Sequence, residues 1–312
     1  MKYKPVYFLI LLVLSSYNVE ASNVFNFLRF AGSARAAGLA GSFVTIENDI
    51  SSIYYNPATL YSTTDNNFSI TYFKHALDIN SGNVVYKLPF EWEGGKIAVN
   101  AMYTNFGSFD YANSSGDISG TFSANDLTLG MHYANQIDSN INYGVGVKYI
   151  FANVEKYSSS AFACDFGLFY KLQDGRTNLG LSLLNVGSQV TTFNGDFEPL
   201  PIDLRIGFNH QLKGMPLLFN ASFNHLADKT DTFFQKFKSF SVGGEFSIGN
   251  YVQLRLGFDN HIRTVITNEL DKGFSGFSSG IGIRTEYVNF DYGLSMYNSS
   301  LNLHKFSFYL NL

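Results

Sequence analysis

One cysteine, Cys164, stands in a chain of 312 residues, so no internal disulfide framework can form. An exported fold would have to be held by packing alone, and Cys164 reads as a small apolar residue on a strand face. No stretch approaches the roughly 18 consecutive apolar residues of a membrane-crossing helix. There is no basic run, and a net charge of −4 is too small to imply a polyanion, so nucleic acid is excluded as a partner. The catalytic signatures GxxxxGK[ST], HExxH and CxxC are missing, and the six histidines are scattered. No enzyme, cofactor or metal is therefore expected. The pairs Asn209–His210, Asn224–His225 and Asn260–His261 are read as polar residues of interfacial bands, because the strand order puts His210 and His225 at opposite rims. An outer-surface lipase would need a Ser beside a His, and no such pair stands out.

What is present begins with MKYKPVYFLILLVLSSYNVEA, where two lysines precede a short apolar run and a small residue, the form of a cleaved signal peptide over 1–21. An exported chain without apolar helices can be a membrane protein only as a closed barrel. The composition agrees, with 28 Gly, 20 Tyr and 31 Phe against 6 Pro.

From residue 67 onward, runs of about ten residues alternate apolar with small or polar side chains, the length of a tilted membrane strand. In INYGVGVKYIF, Ile141, Tyr143, Val145, Val147, Tyr149 and Phe151 share one face, and Asn142, Gly144, Gly146 and Lys148 the other. One face suits lipid and the other a lumen. The same holds around Leu129, Ile206 and Leu256, with Arg205 and Arg255 on the inner side, because an Arg at mid-membrane facing lipid costs about 2–4 kcal/mol. Such runs predict about fourteen strands and an all-β transmembrane antiparallel barrel over 67–312. Connections after even-numbered strands are tight (QIDSN, KGM, GN), while those after odd-numbered strands are mostly longer (GSFDYANSSGDISG, GSQVTTFNGDFEPL, NHIRTVITNELDKG). Short periplasmic turns and long outside loops give that pattern.

Register predicts two lumen charge pairs, Glu245 opposite Arg255 and Arg284 opposite Asp291. They read as a ladder lining the lumen, or as charges that also grip something inside it. A barrel of fourteen strands is too wide for its own side chains to fill, so it must be a channel or be occupied.

The candidate occupant is residues 22–66, and within them SARAAGLAGSFVTIENDISSIYYNPATL, rich in Ala and Gly and closing on Asn56, Pro57 and Ala58. This segment resembles the N-terminal region of the FadL-like outer-membrane proteins, whose inward-folded segment with an NPA signature plugs a fourteen-stranded barrel. The match is nearer the PorV/PorQ branch, on Phe27 and Leu28, the Ala-Arg-Ala around Arg35, Gly38, Gly41, Asp49 and Asn56-Pro57-Ala58. Resemblance to PorQ members extends through HALDINSGNVVY, SSGDISGTFSANDLTL, GDFEPLPIDLRIG and RLGFDNHIR, while Ala40 and Ser42 around Gly41 depart from the broader family's Gly and Ala.

Two functions follow from the resemblance. PorQ implies a scaffold of type IX secretion in the outer membrane, anchoring the surface complex (PorU, PorZ and PorV-like proteins) that processes and attaches cargo. FadL-like relatives imply instead a transporter of fatty acids or other hydrophobic small molecules. A transporter should show a contiguous apolar lumen pocket; the inner faces read above are polar and small, which favours the scaffold.

Overall fold

The computed structural model describes residues 24–30, 32–64, 67–75, 78–113, 117–266, 272–298 and 301–310. The expected signal peptide, 1–21, lies outside the described residues. Fourteen strands form one closed antiparallel barrel: β1 (Phe68–Lys74), β2 (Asn80–Trp92), β3 (Gly95–Ala112), β4 (Ile118–Asp138), β5 (Ile141–Val154), β6 (Tyr157–Lys171), β7 (Thr177–Thr191), β8 (Asp203–Gln211), β9 (Leu217–Phe223), β10 (Phe240–Ile248), β11 (Val252–Asp259), β12 (Phe277–Arg284), β13 (Val288–Met296) and β14 (Asn302–Leu310). The ends meet where β1 pairs with β14, Phe68 opposite Leu310.

The alternation has the expected sense. Met131 is 53% exposed on the outer face of β4 while its neighbour His132 is 1% exposed within. Outward aromatic and aliphatic side chains form the lipid-facing band, and closure leaves no unpaired strand edge. Turns after even-numbered strands are short, as at Gly249–Tyr251 between β10 and β11. Long connections at the other end are three: 192–202, 224–239 and 260–276, the last opening with a short helix α1 (Asn260–Val265). The stretch read as a long loop over 107–120 is instead mostly hairpin, because β3 runs to Ala112 and β4 starts at Ile118. The barrel wall is thus tall at β3 to β7 and low at β8 to β14.

Residues 32–63 lie inside the barrel. Their order is a helical turn α2 (Ala34–Gly38), then two 3-10 turns, Ile50–Tyr54 and Pro57–Ser62. Each start is capped by the side chain before it. Ser33, Asp49 and Asn56 accept from the backbone N–H of Ala36, Ser51 and Ala58, and Pro57 at the first position of its turn has no N–H to satisfy. Ala36, Leu39, Phe43, Ile46 and Tyr55 form a small core of their own, while Ile50, Ile53 and Leu60 pack on Val85, Ala98, Ala134 and Tyr309 of the wall.

Candidate functional site

A backbone without regular structure survives in an enclosed space only if its polar groups find partners, and the wall's inward side chains supply them. Asn56 Nδ2 donates to Val44 O and to Leu168 O of β6, each at 3.0 Å. Ser182 Oγ donates to Tyr55 O at 2.6 Å, Asn209 Nδ2 to Thr45 O at 2.7 Å, and Asn83 Nδ2 to Gly32 O at 2.8 Å. Inward glycines of the wall are seats for the same segment. A Cβ at Gly144 or Gly167 would collide with Asn56, Pro57 and Ala58, and one at Gly257 would lie 2.7 Å from Ala40 N. Gly38 of the segment is packed less tightly, a Cβ there lying 3.1 Å from Gly280 Cα. Gly41, at φ +72°, reverses the chain after α2 in a conformation that favours glycine.

The site charges converge on one buried network. Arg35 donates from Nε and Nη2 to both oxygens of Glu245, at 2.8 and 2.7 Å, and from Nη1 to Asp49 at 3.2 Å. Glu245 also accepts from Arg255 Nε at 2.6 Å; Arg255 Nη1 reaches Asp291 at 2.7 Å, and Arg284 Nη2 reaches the same carboxylate at 2.9 Å. Three cations (Arg35, Arg255, Arg284) meet three anions (Asp49, Glu245, Asp291), so the network is neutral. Burial works against the Arg35 charge, yet Glu245 and Asp49 outweigh it and hold its pKa above the ordinary value. Register places Glu245 opposite Arg255. It does not place Arg284 opposite Asp291: Arg284 faces Asn289 and Asp291 faces Gly282, because Thr285 to Tyr287 make the turn. Their contact is diagonal, which the length of the Arg side chain allows.

The lumen is not uniformly polar, contrary to the sequence expectation. Above the inner segment, Phe73, Met102, Ile150, Ala152, Ala161 and Ala163 form a continuous inward apolar surface. Ile150 follows Lys148 on the same face of β5. The surface is occupied by the chain itself: Phe25 is fully buried and Phe27 4% exposed against it, with Leu200 beside them. Two adjoining cavities continue outward. One, of 310 Å³, is lined by Phe106, Phe109, Phe122 and Phe193; the other, of 480 Å³, shares with it Val24, Val154 and Phe193.

A third cavity, of 460 Å³, lies across the lumen between the inner segment and α1, and is lined by Arg29, Tyr55, Arg205, His225, His261 and Lys305 among others. His225 and His261 meet there, ring centroids 4.8 Å apart, both just beyond the outer ends of odd-numbered strands, β9 and β11. Burial, and then the neighbouring His225, draw the His261 imidazole down to about 4, so it is neutral at pH 7. Among the described residues no group of three or more His, Cys, Asp or Glu is placed to hold a metal ion.

Solved structures of similar shape include two toluene transporters. The toluene transporter TbuX of Ralstonia pickettii superposes with a TM-score of 0.58 at 12% identity, over 93% of this chain and 99% of that one. The toluene transporter TodX of Pseudomonas putida gives 0.60 at 13% identity, over 89% and 97%. This chain has the FadL-type barrel fold. A FadL homologue of Pseudomonas aeruginosa superposes with a TM-score of 0.55 at 11% identity, over 90% and 98%. No family model and no curated protein sequence matches the chain. The shared fold is that of outer-membrane channels, and at these identities the likeness is one of fold.

Proposed function

We propose that this FadL-type barrel takes small hydrophobic molecules from the cell surface into the outer half of its lumen, above an inner segment that plugs the barrel. The observation that carries this is the inward apolar surface of Phe73, Met102, Ile150 and the small residues around them, adjoined at the outer mouth by one cavity lined by Phe106, Phe109, Phe122 and Phe193 and by a second, more polar one with Gln189, Asp196 and Glu198 at its edge. The turns of the inner segment seat elsewhere, at Gly144, Gly167 and Gly257, and what reaches this surface is the stretch from Val24 to Phe30. Phe25 and Phe27 then act as a resident occupant that an incoming ligand displaces. Cells lacking the protein and cells restored with it should differ in uptake of labelled toluene and oleate, with slower uptake in the absence of the protein. Ile150→Asp in the restored copy should abolish the difference while the barrel still assembles, since a carboxylate on that surface would be buried without a partner. Equal uptake with and without the protein would reject transport.

The scaffold function remains a second proposal for one reason: the apolar surface is filled by the chain's own aromatic rings, as in a barrel with no ligand to carry. In that case the surface proteins of the type IX attachment complex (PorU, PorZ and PorV-like proteins) would be the partners implied by the PorV/PorQ resemblance. Pull-down from native outer membranes tests it. Co-purification of a surface complex together with unchanged hydrophobic uptake would favour the scaffold.

A further inference from the structure

The connection between β9 and β10 carries its aromatic residues on the outside of the barrel. Phe233, Phe234 and Phe237 lie on one 3-10 turn, Phe233–Lys238, and are 62%, 81% and 40% exposed. They pack on each other, and Phe237 meets Phe223 edge to face at 5.4 Å. Phe223 is an outward residue of β9, on the lipid-facing side of the wall, cross-strand from Phe240. From Phe240 the row of outward rings continues to Phe258 and Phe277. The exposed cluster is therefore an extension of the lipid-facing band.

The low wall gives that extension a reason. β9 has seven residues. At about 3.3 Å rise and a tilt near 40°, they cover about 18 Å of membrane depth, short of the apolar band of about 25 Å. The connection is also held in place rather than free: Lys236 Nζ donates to Leu226 O at 2.8 Å and Asp228 O at 2.9 Å, and the Asp228 carboxylate grips Arg29 with two hydrogen bonds of 2.5 and 2.8 Å. A backbone so tied presents three phenyl rings outward at a fixed height. The exposed Lys229 and Lys238 flank them, where headgroup phosphates would lie.

We infer that the 224–239 connection is a membrane foot: it folds over the low rim and inserts Phe233, Phe234 and Phe237 at the headgroup and acyl-chain boundary of the outer leaflet. Phe is at home at this depth, and cations beside it meet anionic headgroups. The inference is independent of what the lumen carries.

A fluorescent reporter tests it. With the single Trp92 replaced (W92F), F234W is reconstituted into phosphatidylcholine vesicles with and without lipids brominated near the headgroup end of their acyl chains. F197W serves as the control, because Phe197 is 70% exposed on the connection beyond the tall side of the wall. Both variants are first checked for a heat-modifiable band, so that only assembled barrels are read. Brominated lipid should remove roughly half of the emission at position 234 and leave position 197 unchanged, as expected for a ring some 5–10 Å into the boundary. No quenching at position 234, or equal quenching at both positions, overturns the inference and leaves the aromatic face for a protein partner.

Discussion

Removal of residues 33–55 is expected to turn a closed barrel into an ion-conducting pore in planar bilayers. The deleted side chains fill the lumen from α2 at β11 to β14 round to the 3-10 turn Ile50–Tyr54 at β1 and β2; Pro57–Ser62 stays seated on β3 to β6, and few inward side chains of the wall are long enough to replace what is lost. The wall should survive the loss. With Arg35 and Asp49 gone, Glu245, Arg255, Asp291 and Arg284 still balance two cations against two anions. The orphaned wall donors, Ser182 and Asn209, would face water rather than a void. The deleted form should assemble, show the usual shift on heating, and conduct in discrete steps that the intact protein lacks. Equal conductance of the two forms would mean that something else closes the lumen.

The second large effect concerns Arg255, at the centre of the network. Removing its charge, as in Arg255→Met, leaves Glu245 dependent on Arg35 and Asp291 dependent on Arg284, and should cost about 3–5 kcal/mol, the order seen when one member of a buried ion pair is lost. An isolated cross-strand pair would recover much of such a loss when both charges are reversed. This pair is not isolated. In E245R/R255E the new cation would face Arg35 and the new anion would face Asp291, so the double reversal should be no more stable than either single reversal. Urea titration followed by the gel shift of the folded barrel measures both. Substantial rescue in the double reversal would show that Arg35 and Asp291 do not share the network.

The barrel was legible because lipid on one side and lumen on the other impose a period of two, strand after strand, as in Val145, Val147 and Tyr149 against Gly144, Gly146 and Lys148. Short turns on one end added the direction. The inner segment was legible by its lack of that period and by Asn56-Pro57-Ala58. Other features were not. The β3–β4 hairpin rises beyond the membrane, where no bilayer enforces alternation, so its Gly, Ser and Asp residues looked like loop. Inward glycines looked like a small polar lumen, whereas they are the space in which Pro57, Val44 and Leu39 sit. Arg35 and Glu245 are 210 positions apart, and no local pattern joins them. The apolar lumen surface had a signal, since Ile150 shares the face of Lys148, but Phe25 and Phe27 precede any periodic run and their destination depends wholly on the closed barrel.

Saturation binding of the fluorescent apolar probe N-phenyl-1-naphthylamine to the reconstituted protein addresses the apolar site most directly. Intact protein should bind it saturably and release it to toluene. F25A/F27A should bind about tenfold more tightly or better, because a competing occupant worth about 1.5–3 kcal/mol per ring has been removed, and Ile150→Asp should abolish the signal. Absence of saturable binding in both the intact protein and F25A/F27A would contradict a ligand site in the outer lumen.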